Sequence, residues 1–367
     1  MKSINDFIPM LPERVRSMHG YVPGLQKNDS EIIKLNSNEN PYPPSPAVFE
    51  ALQALADDTR SFPQKYPAPT SRALRASIED VLKLQPGSVL AGNGSDEVLA
   101  LLFRGLMDPG QSFVMPDPTY SLYPILARAT GLEYETVPVK EDFRIDLDGI
   151  LRVAESANCK VAIMAMPNAP TGIAEDRESL TRFIEGFPGW VVLDEAYSPF
   201  SDFSFMQKAG TEFPNLICTC TFSKAWSLAG MRVGWMVAHP DLIAQIDKIR
   251  DSYNLNMAAQ SCALAAIRDT NWQNENATKI KQSREKLIQD LNSRGFQCIP
   301  SAANFVLARV PEGSAEQARH IYEELEKRRI LIRYFAHDRI KEYLRISVGT
   351  PDQMERMLQA LDQILTG

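Results

Sequence analysis

Short apolar, β-branched runs recur along the first two thirds of this chain, and polar segments separate them. Residues 88–91, 112–116, 133–139, 161–167, 190–196, 216–222 and 231–238 read as strands on that pattern. Between them apolar residues return at helical spacing. Helices are predicted over 47–57, where Val48, Leu52 and Leu55 share a face, and over 70–84 behind a Thr70 or Ser71 cap. Others are predicted from Ser95 onward and over 119–130 and 176–185. Continuously apolar strands alternating with helices indicate an α/β fold, a mostly parallel sheet covered on both faces. Ligands of such sheets sit beyond the carboxyl ends of the strands, which is where Asn168, Asp194 and Lys224 fall.

After Pro240 the pattern changes. Helices over 241–250, 257–268, 274–294, 315–328 and 352–366 accompany short strands at 305–310, 330–335 and 343–348. Such an order fits a smaller α+β domain with an antiparallel sheet. Residues 1–34 carry Pro9, Pro12 and Pro23 without periodicity and read as an irregular arm draped over the rest. The predicted division is an arm at 1–34, a large domain at 35–255 and a small domain at 256–367.

Composition changes this picture by exclusion. Hydrophobic residues make up 44% and charged residues 23% of the 367, so a packed core is expected and disorder is not. A net charge of -7 argues against nonspecific binding to nucleic acid or an anionic membrane surface. No apolar stretch approaches membrane-spanning length, and residues 1–20 lack the apolar core of a signal peptide. Five cysteines without a CxxC pair suggest neither a disulfide framework nor a zinc site. The four histidines form no cluster with Asp or Glu, so no metal site is expected. The chain reads as reduced and cytoplasmic.

The candidate chemistry centres on one lysine. Lys224 follows the apolar run at 216–222 closely, which holds its ammonium near the interior, where desolvation favours the neutral amine. Thr221, Ser223 and Arg232 bracket it; two hydroxyls and a guanidinium can hold a phosphate while the lysine holds an aldehyde. Pyridoxal phosphate requires that combination. The turn Gly92-Asn93-Gly94 leads into a helix opening at Ser95, Asp96 and Glu97. This turn suits either an anion at a helix N-terminus or an ordinary cap.

Asp194 ends an apolar strand and must be paired there, whether with a protonated pyridine nitrogen, a metal or a helix N-terminus. Tyr197 either meets the ring's phenolic oxygen or simply packs; Asn168 either donates to the same oxygen or makes a turn. Arg333 and Arg345 are charges on two short strands, suited to gripping a carboxylate or to ordinary salt bridges.

In combination the motifs are more specific. NENPYP, NGSDE, DPTYSLY, PNAPTG, VVLDEAY, TFSKAWSLAGMRVGW and LRISVGT occur in this order. Together they resemble the fold-type I aminotransferases that use pyridoxal phosphate and, among these, the histidinol-phosphate aminotransferases. MPNA stands where that family often reads NPNN, but Asn168 itself is kept. The resemblance implies a PLP-dependent transferase fold with a seven-stranded large-domain sheet. It also implies a homodimer acting on an amino donor and a 2-oxo acid. Lys224 would join the cofactor and shuttle a proton, Asp194 would pair with the pyridinium, and Asn168 and Tyr197 would meet the phenolic oxygen. Tyr120 would stack on the ring. Gly94, Ser95, Asp96, Thr221, Ser223 and Arg232 would surround the phosphate end, joined by Tyr66 from the partner subunit. Arg345 would bind an α-carboxylate, Tyr21 and Arg333 a substrate phosphate, and Asn40 would belong to the substrate side. Similar motifs also serve aromatic amino-acid aminotransferases and a decarboxylase of threonine phosphate.

Overall fold

The computed structural model describes residues 3–20, 24–25 and 31–366. Its strands are, in chain order, β1 (Ile33–Lys34), β2 (Val89–Gly92), β3 (Ser112–Asp117), β4 (Glu133–Pro138), β5 (Val161–Ala165), β6 (Trp190–Asp194) and β7 (Leu216–Thr221). They continue with β8 (Gly234–Val237), β9 (Gln297–Cys298), β10 (Phe305–Arg309), β11 (Ile330–Leu331), β12 (Arg333–Tyr334) and β13 (Tyr343–Ser347). The central sheet has seven strands in the order β2-β8-β7-β6-β5-β3-β4. Only β8 runs against its neighbours β2 and β7; the other pairings are parallel. The expected mostly parallel sheet is therefore observed.

The apolar runs have a simple physical cause. On β7, Cys218 and Cys220 enter one hydrophobic layer while Ile217 enters the other; on β6, Leu193 and Val192 divide in the same way. Both faces are covered, so apolar residues occupy successive positions along these strands rather than every second one. Each fully buried aliphatic side chain contributes about 1.5–3 kcal/mol. The carboxyl edge of this sheet is level: Ala165 pairs with Asp194, and Gly92 and Thr221 both lie opposite Gly234.

A second sheet, β12-β13-β10-β9, is antiparallel, and β1 pairs in parallel with β11. This corrects two expectations. The predicted strand at 330–335 is two strands in two sheets: Ile330 pairs with Ile33 and Arg333 with Arg345, with buried Ile332 between them. The end of the irregular arm, Ile33–Lys34, is itself a strand.

Other boundaries moved for local reasons. The strand predicted from residue 231 starts at Gly234, because Ala229–Met231 form a 3-10 turn and Arg232 adopts φ +54. The helix predicted from residue 119 starts at Leu122, leaving Tyr120 on a loop. Ser71 precedes the helix Arg72–Leu82 at φ +50 and makes no side-chain cap. A helix absent from the expectations, Leu147–Ser156, is capped by Asp146, which accepts from the Gly149 N–H at 3.0 Å.

Candidate active site

A cavity of about 590 Å³ opens over the level edge of the central sheet, with the antiparallel sheet forming its far wall. Lys224 sits at its floor. The turn that carries the lysine is fixed from below by Phe222, Trp226 and Trp235, whose ring centroids lie 4.8–5.3 Å apart. Such aromatic pairs each add about 0.5–1.5 kcal/mol beyond their burial. From above, the Asn40 side-chain amide donates to the Lys224 and Ala225 carbonyls at 3.0 and 3.3 Å. The ammonium itself donates to the Ser37 carbonyl at 3.0 Å. Burial, followed by the charge of Arg345, pulls the Lys224 pKa down to about 8. The lysine thus releases its proton more readily than a solvated one and is held at a fixed place.

Asp194, at the end of β6, is buried and accepts from Tyr123 Oη and Thr219 Oγ1, each at 3.0 Å. Burial lifts its pKa to about 6 against the pull of these two hydrogen bonds. A carboxylate in that position is stabilised by a cationic N–H brought to it. Tyr197 Oη accepts from Asn38 Nδ2 at 2.9 Å, and its ring packs edge-on to Phe305. Asn38 is held at φ +54 by Ser347, whose Oγ donates to its Oδ1 at 3.0 Å, and by Asn304, which donates to its carbonyl at 2.9 Å.

Ser95, Asp96, Thr221, Ser223 and Arg232 gather at one end of the cavity. Gly94 precedes the helix Ser95–Leu106 with φ +83, and a Cβ there would come within 2.7 Å of Arg232 Nη2. Gly234 lets the same loop approach the sheet, since a Cβ on it would lie 2.3 Å from the Ser95 nitrogen. Thr221 Oγ1 donates to Ser223 Oγ at 2.9 Å, and Arg232 Nη2 to Asp96 Oδ2 at 3.1 Å. Tyr120 closes this side with its hydroxyl 3.3 Å from Asp96 Oδ1. Hydroxyls, a guanidinium and a helix N-terminus together form an anion cradle.

The far wall carries Arg333 and Arg345, opposite one another on β12 and β13. Their guanidinium carbons lie 5.4 and 5.3 Å from the Phe335 ring centroid, and Arg345 Nη2 donates to the Asn36 carbonyl at 2.9 Å.

Not every expected residue lines the cavity. Asn168 is buried behind the wall: its amide donates to the Pro118 carbonyl and Thr171 Oγ1, both at 3.1 Å, and it accepts from Thr119 Oγ1. It ties two wall loops together. Asn40 acts from behind Lys224, as above. Tyr66 is 79% exposed and stacks on Tyr253 with centroids 4.5 Å apart, away from the cavity. Tyr21 lies outside the described residues. The sequence reading missed Asn38, Tyr123 and Thr219; only the Asn-rich stretch at 36–40 gave a signal for the first. Among the described residues no group of three or more His, Cys, Asp or Glu could hold a metal. Nor is any helix among them long and apolar enough to cross a membrane.

Comparisons with known proteins identify the family. The family model for aminotransferase class I and II matches residues 30–361. The chain is 39% identical to a histidinol-phosphate aminotransferase of Microcystis aeruginosa, covering 97% of this chain and 99% of that one. It is 41% identical to one from Synechocystis, covering 95% and 96%. A crystal structure of histidinol-phosphate aminotransferase from Sinorhizobium meliloti in complex with pyridoxal-5'-phosphate superposes with a TM-score of 0.88, at 27% identity over 97% of both chains. With a nucleophilic lysine, a paired buried carboxylate and an anion cradle around one cavity, this chain belongs to the aminotransferase class I and II family.

Proposed function

We propose that the protein is a pyridoxal-phosphate-dependent aminotransferase that moves an amino group between L-histidinol phosphate and 2-oxoglutarate. In the biosynthetic direction glutamate would be the donor and imidazole-acetol phosphate the acceptor. The observation that carries this reading is the meeting of Lys224, Asp194 and the Thr221–Ser223–Arg232 cradle in a cavity also faced by two arginines. Relatives of this name at 39% and 41% identity over nearly the full length support the substrate.

The donor set fits the cofactor. The cradle suits its phosphate, Asp194 its ring nitrogen, Tyr197 its phenolic oxygen and Lys224 its carbonyl carbon. When bound, the cofactor supplies an electron sink for charge developing at the substrate carbon. The chain does the rest. Asp194, held by Tyr123 and Thr219, keeps a cationic ring nitrogen protonated. Lys224, with its lowered pKa, would take and return a proton at the substrate carbon. Arg345 would grip the glutamate α-carboxylate. Histidinol phosphate lacks that group, which leaves Arg333 and Tyr21 as anchors for its phosphate.

The rest of the reading belongs to the same proposal: a cytoplasmic homodimer in which Tyr66, exposed here, reaches the partner's cofactor phosphate. The domain division at 35–255 and 256–367 is supported by the seven-stranded sheet ending before Pro240 and the four-stranded one beginning after it.

Single-turnover amino transfer from histidinol phosphate, phenylalanine, tyrosine, aspartate and threonine phosphate tests the substrate. Histidinol phosphate should be preferred. Preference for the aromatic amino acids would leave the chemistry standing and replace the substrate.

A further inference from the structure

Asp117 and His337 face each other across the cavity, one from each wall. Asp117 is the last residue of β3 in the central sheet, where its carbonyl accepts from the Val139 N–H at 3.0 Å. His337 follows β12 on the loop that links Arg333 to β13. Both line the cavity that holds Lys224 and the two arginines. His337 Nε2 lies 3.2 Å from each Asp117 carboxylate oxygen. Its Nδ1 accepts from the Arg339 backbone N–H at 3.3 Å, so a neutral ring carries its proton on Nε2 and donates it to Asp117. The pair is reachable: the Asp117 side chain is 43% exposed and that of His337 36%. Exposed pairs of this kind add little to stability and are readily exchanged for another partner.

The carboxylate poses a problem of charge. Arg333, Arg345 and Arg232 line the site, and its other carboxylates are engaged: Glu39 with Lys34, Asp96 with Arg232, and Asp194 with Tyr123 and Thr219. Asp117 repels a phosphate or a carboxylate, so it must face the part of a substrate that is not anionic. On the proposed function, that part of histidinol phosphate is its imidazole ring, whose N–H is the one donor besides the reacting amine. Glutamate offers no such group.

We infer that Asp117 recognises the imidazole of the substrate, and that His337 supplies a substitute imidazole while a substrate without one occupies the site. The same bond, imidazole N–H to carboxylate, is made in either half-reaction; only the source of the ring changes. The inference rests on the proposed function and adds a residue pair that sorts its two substrates.

The test measures the two half-reactions separately on the cofactor-loaded protein, with glutamate, histidinol phosphate and phenylalaninol phosphate as donors. The last keeps the phosphate and has no ring nitrogen. Asp117→Ala should lower kcat/KM for histidinol phosphate by about tenfold or more, as expected for one hydrogen bond to a charged group. It should change phenylalaninol phosphate and glutamate far less. His337→Ala should act in the opposite sense, raising KM for glutamate severalfold more than for histidinol phosphate, because a bare carboxylate then faces an anionic substrate. Asp117→Asn, of the same shape, should show part of the Asp117→Ala loss with unchanged cofactor absorbance, which separates recognition from misfolding. If both variants slow all three donors by one common factor, the pair is a clamp between the walls and the inference is overturned alone. Refusal of histidinol phosphate by the unaltered protein would overturn the proposed function and this inference with it.

Discussion

The two walls of the cavity are built by opposite rules. On the central-sheet wall, Asp194, Thr221 and Ser223 are buried, and Lys224 is held among them with a defined partner. Their positions follow from strand ends locked on both faces by apolar layers. On the antiparallel-sheet wall, Arg333, Arg345, Phe335 and His337 are only partly covered, and their neighbours are aromatic faces, carbonyls and one carboxylate. The first wall suits a single bound group at one position. The second suits ligands that differ from one half-reaction to the next. The contrast teaches that the fixed chemistry sits on the central sheet, while the antiparallel sheet, meeting Asp117 at the end of β3, faces the part of the cavity left for the variable ligand.

Five substitutions sharpen or break that contrast. Lys224→Ala should have the largest effect: single-turnover amino transfer falls by at least about 10³-fold. Borohydride treatment should then leave no cofactor attached to the peptide spanning 216–232, and attachment elsewhere would assign the role to another lysine. On the other wall, Arg345→Ala should raise KM for glutamate by about 10–100-fold, the loss of a charge-assisted bond. Arg333→Ala should weaken histidinol phosphate more than phenylalanine. An equal loss on both would remove the phosphate-anchoring role.

Tyr123→Phe should cost less, about two- to tenfold in rate. Its hydroxyl lowers the Asp194 pKa, so removing it raises that pKa above about 6 and moves the acidic limb of the cofactor-free protein's titration to higher pH. The smallest effect concerns Glu195, buried beside the site and accepting from Ser204 and from the Phe205 N–H at 2.7 Å. Burial raises its pKa from 4.5 to about 7. A raised pKa means stability that is full below pH 4.5 and is lost as pH rises toward 7. Glu195→Gln should therefore flatten the thermal midpoint across that window, and an unchanged slope would assign the dependence to other groups.

Much of the first wall was legible in the sequence, and less of the second. Asp194 and Lys224 end or follow apolar runs, so strand position alone placed them at the ligand edge. The cradle was legible because Thr221, Ser223 and Arg232 are close in sequence. Asn38, by contrast, acts on Tyr197 across 159 residues and on Ser347 across 309, and Asp117 meets His337 across 220. No periodicity reports such meetings. Asn168 shows the converse: its motif follows β5, which ends at Ala165, yet its amide is engaged by the Pro118 carbonyl and Thr171 Oγ1. The split of 330–335 into two strands was hidden for a related reason, since an apolar run does not say which sheet each half will join.

The pairing of β1 with β11 bears on the order in which a nascent chain can complete this site. Ile33 is held by Ile330, and the Leu35 carbonyl by the Ser347 N–H at 2.9 Å. The loop between them and the helix Pro46–Asp57 supplies Ser37, Asn38 and Asn40 to Lys224 and Tyr197. These early residues therefore take their places only after strands some three hundred positions later have left the ribosome. Until then the seven-stranded sheet can form while the lysine lacks its roof. A chain stopped before β13 would keep most of the framework and lose the last contacts that make it an active site.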